Sequence, residues 1–319
     1  MDFKTISVAA LAGIACVLLV SAGMHAGTSG MLLFLLAPFP VYAAALAWGT
    51  NAAIVSSLVV IVTATGALSP SIAVVLGLVM SLPASLIGHQ ANLAQPDEAG
   101  DLVWYPLDRL FFNMCLVVTA GLVAMLVYIG YDNSREQMMP FISPMIDDML
   151  ANSPMLEGFP AEQAQALKLR FFEFTPFLIS TAWIVVHVFN AHLASWVCRA
   201  SGLMPRPADD IARTISLPPA AIAILVVSFI IAFLFDGKFG YYSAPIIGVF
   251  LTAFSLVGLA DLHLRGRNSG GNFMLLVVVY TLILLLQFVL YFFAFGGVRR
   301  SIAAIRNSRP PAGPHSSNE

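Results

Sequence analysis

Between Trp183 and Trp196 the chain reads WIVVHVFNAHLASW: two histidines and an asparagine inside an apolar run long enough to cross a bilayer. Polar groups at membrane depth generally face a bundle interior or a wet cavity, and ionisable ones there mark solute or proton pathways. At 100° per residue, Asn190 lies about 60° from His187, on the face that also carries Ser180, Trp183, Ala191 and Ala194. His192 lies about 140° away, on the side of Trp196 and nearer Arg199. Chelation of one metal from a single helix requires i, i+4 spacing, so the two histidines do not form a metal pair. His187 and Asn190 are therefore candidates for a solute or proton site, with interhelical hydrogen bonds of about 0.6 kcal/mol each as the structural alternative. Asn113 and Gln287, the latter in LILLLQFVLYFF, could converge on the same cavity. Asp261 and His263 point about 160° apart on a helix and form no dyad. They stand just before Arg265 and Arg267, as at an ordinary charged exit from a span.

Catalytic signatures are otherwise missing. The chain has no HExxH, no G-x-S-x-G elbow and no Walker loop, so neither an enzyme nor a resident metal or cofactor is expected. Gly27 to Gly30 reads GTSG, which matches the short Gly-x-Ser-Gly of rhomboid-type proteases, but no histidine can be assigned to Ser29 by spacing. A turn or helix cap is the reading there. Cys16, Cys115 and Cys198 lie far apart in apolar runs and suit helix packing or lipid contact, not a disulfide framework or a zinc site.

The elements that must position these groups follow from composition. Of 319 residues 59% are hydrophobic and 10% charged, with a mean hydropathy of +0.87, against roughly 25% charged in soluble domains. This predicts an all-α, polytopic membrane protein whose surroundings are the lipid bilayer. A net charge of −2, from 15 basic and 17 acidic residues, offers no basic stripe for nucleic acid. Nine apolar runs have spanning length, at 6–23, 31–48, 52–68, 71–88, 110–130, 173–198, 217–235, 243–262 and 273–296. The first reads as an uncleaved signal anchor, and its small face (Ala9, Ala12, Gly13, Cys16) could receive another helix, including one from a partner membrane protein. The second carries APFP at Ala37–Pro40 and is either a kinked span or a re-entrant segment. WGTN and LSPS, at Trp48–Asn51 and Leu68–Ser71, are tight hairpin turns.

The choice for the second run sets the orientation. Nine spans with the N-terminus inside put seven basic residues (Lys4, Arg109, Arg199, Arg206, Arg213, Arg265, Arg267) against eight outside (Arg135, Lys168, Arg170, Lys238, Arg299, Arg300, Arg306, Arg309). Eight spans, with 31–48 not crossing, put nine inside against six and both ends in the cytoplasm. Charge favours eight and hydropathy nine. Within the extramembrane connector 131–172, Ile142, Met145, Ile146, Met149 and Leu150 share one helical face opposite Asp147 and Asp148, predicting an amphipathic helix that packs on the bundle or caps a cavity, with a solvated connector as the alternative. The bundle is expected over 1–298, and the Pro-rich segment 299–319 as a disordered tail.

SLVGLADLHLRGR (Ser255–Arg267), followed by a final span leaving through FGGVRRSIAAIR (Phe295–Arg306), resembles the YybS-like family of predicted bacterial membrane proteins. That family is distantly similar to the S components of energy-coupling-factor transporters. APFPVYAAALAWGTNAAIVSS (Ala37–Ser57) is similar to the start of such folds and favours a genuine crossing at 31–48. The resemblance implies a bacterial inner-membrane component that binds or transports a small molecule without its own ATPase. Val298 and Arg299 stand where an acidic residue is expected after the last glycine pair, so no binding residue carries over. An assembly protein with no solute ligand is the competing reading.

Overall fold

The computed structural model describes residues 2–153, 159–235, 237–268 and 273–308. Among them every regular element is helical except a small hairpin of two strands, β1 (Ala94–Pro96) and β2 (Leu102–Trp104). Six helical stretches are long and apolar enough to cross a membrane by length and composition, and Pro219–Leu234 and Phe273–Leu285 are shorter apolar helices. The chain is thus all-α, as its composition predicts, with the helices of a multi-pass membrane protein.

Helix α1 (Phe3–His25) starts at Asp2, whose carboxylate accepts the Thr5 N–H at 3.2 Å and so serves one of the unpaired amides at a helix start. Its small face is taken up inside the chain. A Cβ on Gly13 would lie 2.6 Å from the Ser56 carbonyl oxygen, and Ala9 and Ala12 are buried with Ala44 and Ala52. The chain then turns into α2 (Gly27–Leu35), whose first turn is the GTSG segment; the Ser29 side chain lies outside the described set. A break at Leu36–Pro38 leads into α3 (Phe39–Ala67). Two prolines explain the break, because Pro38 and Pro40 offer no amide to preceding carbonyls.

Helix α3 is a hairpin. At Gly49 the backbone takes φ 78° and ψ −166°, a conformation open to glycine and strained for other residues. Neighbours fix the reversal. The chain continues through α4 (Pro70–Leu76), a π-helical turn (Gly77–Ser81) and α5 (Leu82–Ala91). Ser57 reaches the Ser81 carbonyl at 3.3 Å, Thr50 meets His89, and Asn92 meets the Ala45 and Leu46 carbonyls. Tyr42, through His187, returns to the level of Val79. The two arms of α3 therefore lie side by side in opposite directions, as WGTN predicts, and the broken 27–48 segment is an arm of full length.

The remaining helices are α6 (Leu107–Ile129), α7 (Tyr131–Ala151), α8 (Ala161–Ala200), α9 (Ile211–Thr214), α10 (Pro219–Leu234) and α11 (Lys238–Asn268). Close approaches lock them: a Cβ on Gly121 would collide with the Leu78 carbonyl, and one on Gly248 with Ser180. Helix α11 forms the centre, with Phe250 and Phe254 fully buried. All three cysteines are buried and free.

Three expectations need amendment. The apolar run 273–296 does not form one span: α12 (Phe273–Leu285) ends, Leu286–Phe288 turn, and α13 (Val289–Ser308) departs in a new direction. The Tyr291 hydroxyl meets Thr181 in α8 at 3.0 Å, and Ser301 accepts the Leu217 N–H before α10 at 3.1 Å. Helix α13 therefore runs parallel to α8 and α11, and α12 runs back against it. Docking supplies the cause, since α13 lies on α11 through Gly258 and Gly297, where a Cβ on either would collide with backbone of the other helix. Secondly, residues 299–308, expected in a disordered tail, continue α13, and 309–319 lie outside the described residues. Thirdly, the amphipathic helix of the connector exists but is longer, and only part of its expected face is covered. Ile142 and Ile146 pack in a cluster with Leu126, Tyr131, Phe172 and Tyr241, whereas Met145 and Met149 stay exposed.

Candidate functional site

The polar side chains of α8 serve backbone that the prolines leave open. Pro83 has no N–H, so the carbonyl four residues earlier, Val79 in the π-helical turn, lacks its α-helical donor. Two side chains replace it: the Trp183 indole N–H at 2.8 Å and His187 Nε2 at 2.8 Å. A carbonyl can only accept, so Nε2 carries the proton and Nδ1 accepts from the Tyr42 hydroxyl at 3.0 Å. Both ring nitrogens are occupied and the imidazole is fully buried. The break after α2 is treated the same way. The Phe39 N–H bonds Leu36, which leaves the Leu35 carbonyl open, and Asn190 Nδ2 donates to it at 2.8 Å. The second Nδ2 proton goes to Val186 in α8 itself, while Asn190 Oδ1 has no donor.

The same pattern recurs at the other irregular points. Asn92 donates to Ala45 and Leu46, two of the four carbonyls preceding the Gly49 reversal. Arg206, buried beyond α8, donates to the carbonyls of Ala91 and Tyr105 and is held by Asp209 through two contacts of 2.9 and 3.0 Å. Irregular backbone in a membrane bundle persists only where protein satisfies it, and here the satisfying groups are specific side chains.

The candidate residues from the sequence do not converge. His187 and Asn190 share the interior face and His192 is exposed, as the helical angles require. Asn113 lies toward the far end of α5, donating to Gln90 at 3.0 Å and to the Tyr105 hydroxyl at 3.1 Å. Gln287 is exposed in the turn between α12 and α13. Asp261 pairs with Arg265 at 2.7 Å and Arg299 at 3.6 Å, and His263 bonds the Leu259 carbonyl at 2.9 Å in its own helix.

A cavity runs instead from beside His187 toward the end of α8, between α3, α5, α6, α8 and the segment following α8; Tyr42, which bonds His187, and Val188 line it, whereas His187 itself does not. The cavity volume is about 370 Å³, within the usual span for small-molecule sites. Leu46, Ile87, Leu110, Phe111, Met114 and Ile215 form an apolar wall. Helix α8 contributes Val188, Ala191, His192, Ser195, Trp196 and Arg199, and the polar groups gather where α8 ends. No group of His, Cys, Asp and Glu among the described residues could hold a metal ion. A half-open groove of this kind can take a small, largely apolar molecule with one polar end.

No family model, curated protein or solved structure matches this chain. The site must therefore be read from its own residues. Arg199 and the cavity face of α8 are not singled out by the sequence reading, although a signal is there. His192, Ser195, Trp196 and Arg199 stand at i, i+3, i+4 and i+7, one continuous stripe on the side opposite His187.

Proposed function

We propose that this protein is a membrane-embedded binding component for a small, largely apolar molecule, held in the cavity beside the end of α8. The observation that carries the reading is the cavity itself: a half-open, mostly apolar groove of about 370 Å³ with polar groups toward the end of α8. The chain has no nucleotide-binding motif, so any energised transport requires a partner. The resemblance of Ser255–Arg267 and Phe295–Arg306 to the YybS-like family supports a binding or transport role. Those segments form the α11–α13 crossing, outside the cavity wall. A ligand present at 100 times its dissociation constant adds about 2.7 kcal/mol of stability. Thermal-shift screening of the purified protein against metabolites should find such a compound. Ala191→Phe, which fills the cavity from α8, should abolish the shift while the ligand-free melting temperature stays near that of the unsubstituted protein. A ligand shift that survives Ala191→Phe contradicts this placement.

The proposed arrangement is eight crossings (3–25, 27–48, 50–67, 70–91, 107–129, 171–200, 219–234 and 238–268) followed by an α12–α13 hairpin that returns to its starting side. Segment 27–48 supplies 22 residues and so roughly 30 Å of helical rise despite its break. With α12–α13 as a hairpin, Lys4, Arg109, Arg199, Arg206, Arg213, Arg265, Arg267, Arg299, Arg300 and Arg306 fall on one side and Arg135, Lys168, Arg170 and Lys238 on the other. That bias supports this arrangement over nine simple spans, with both ends in the cytoplasm of a bacterial cell. A fluorescent protein fused after Glu319 should fluoresce, and alkaline phosphatase at the same point should be inactive; an active phosphatase there contradicts the hairpin.

A second reading, an assembly protein without a solute, has one supporting observation: most side chains of α12 are exposed and none is fully buried, only Leu276, Val279 and Ile283 being partly covered. The small face of α1 is occupied by α3 and so is not the surface for such a partner.

A further inference from the structure

We infer that the cavity takes an amphipathic anion, a single apolar chain ending in a carboxylate or phosphate monoester, and that Arg199 holds its headgroup. This rests on the reading of the cavity as a binding site and adds the chemical class of what binds.

The charges around the cavity are unequal. Arg206 is fixed by the two contacts from Asp209 and by two backbone carbonyls, so that pair is locally neutral and its donors are engaged. Arg199 bonds only neutral groups, Ser195 Oγ at 3.1 Å and Met204 Sδ at 3.7 Å. No carboxylate among the described residues lies within ion-pair distance of it. A guanidinium has five N–H donors in a fixed fork that matches carboxylate and phosphate oxygens, and a half-buried one beside apolar walls attracts an anion more strongly than it would in water. His192, on the same stripe two helical turns earlier, is a second polar lining group and is exposed. The rest of the lining, from Leu46 to Met114, suits a hydrocarbon chain. An uncharged apolar ligand would leave Arg199 uncompensated, and a small hydrophilic anion would leave the apolar wall unfilled.

The test uses the full chain in phosphatidylcholine nanodiscs, with 11-bromoundecanoate as probe and 11-bromoundecanol as its uncharged counterpart. Trp196 lines the cavity, so bound bromine quenches its fluorescence, and Trp196→Phe identifies that share of the signal. The carboxylate should quench saturably and at least about tenfold more tightly than the alcohol. Arg199→Gln should remove most of that preference and Arg199→Lys should keep part of it. Taking the ratio of the two probes within each variant cancels their different partitioning into the bilayer. Melting curves without probe show whether each variant is folded. Repeating the titration in nanodiscs containing phosphatidylglycerol separates two sources of the same chemistry. No competition by the lipid leaves a free single-chain amphiphile as the occupant and supports the proposal; competition by the lipid makes a two-chain phosphodiester the occupant and overturns the single-chain assignment while keeping Arg199 as the anion contact. An unchanged preference in folded Arg199→Gln, or equal binding of acid and alcohol to the unsubstituted protein, overturns it while leaving the cavity as a site. No saturable quenching by either probe overturns the cavity reading as well.

Discussion

Gly297→Ala should destabilise the protein by about 1–3 kcal/mol or more, whereas Gly296→Ala, one residue away on the same helix, should cause no loss. At Gly297 a Cβ would overlap the carbonyl of Phe254, which belongs to the most deeply buried helix, so neither atom can withdraw cheaply. At Gly296 the nearest atom to a Cβ is the Gly258 Cα at 3.7 Å, an ordinary contact. Release of α13 also strips Leu217 of the Ser301 hydroxyl and Thr181 of Tyr291. Reversible unfolding of the two variants in mixed micelles gives the comparison. Equal stabilities would mean that α13 does not dock through this crossing and that the reversal at Leu286–Phe288 has another cause.

His187→Leu and Asn190→Leu should each lower stability by about 1–3 kcal/mol, and His192→Leu should change it by less than about 0.5 kcal/mol. Loss of His187 leaves a buried Tyr42 hydroxyl without its acceptor and takes one of two donors from Val79. Loss of Asn190 leaves the Leu35 carbonyl open at the break between α2 and α3. These are penalties of unpaired buried groups, which exceed the small net gain of forming a hydrogen bond in a membrane protein. Ligand binding, measured as a thermal shift at saturating ligand, should persist in the first two variants because neither side chain lines the cavity. Variants that lose binding at unchanged melting temperature would return the site to the middle of α8.

Much of the architecture is legible because hydropathy is a local property. Helices α1, α6, α8 and α11 contain the apolar runs to within one residue, α8 starting twelve residues before its run, and the turns at WGTN and LSPS carry their own chemistry: Gly49 for the reversal, and Ser69 to cap α4 by accepting the Ile72 N–H at 3.2 Å. The inward direction of His187 and Asn190 also follows from angles along one helix. Their partners do not, because a carbonyl released by Pro83, or diverted near Pro38 and Pro40, has the same sequence signature as any other carbonyl. The break inside LILLLQFVLYFF is illegible for a related reason. That run contains neither glycine nor proline, and its turn depends on where α13 meets Gly258, some thirty residues earlier. The cavity is not legible in the sequence because several of its polar groups lie at the end of α8, where charged residues are ordinary, whereas the polar residues at mid-depth, His187 and Asn190, serve the backbone.

The claim that α8 repairs broken backbone is tested most directly by a double-mutant cycle between Pro83→Ala and His187→Leu. Alanine at 83 returns an N–H to the helix, within reach of the Val79 carbonyl that Trp183 and His187 now serve. His187→Leu should then cost at least about 0.5 kcal/mol less in the Pro83→Ala background than in the unsubstituted protein, a coupling of the size seen for groups sharing one network. If the two substitutions are additive within about 0.3 kcal/mol, His187 is not compensating for Pro83, and its burial needs a different explanation.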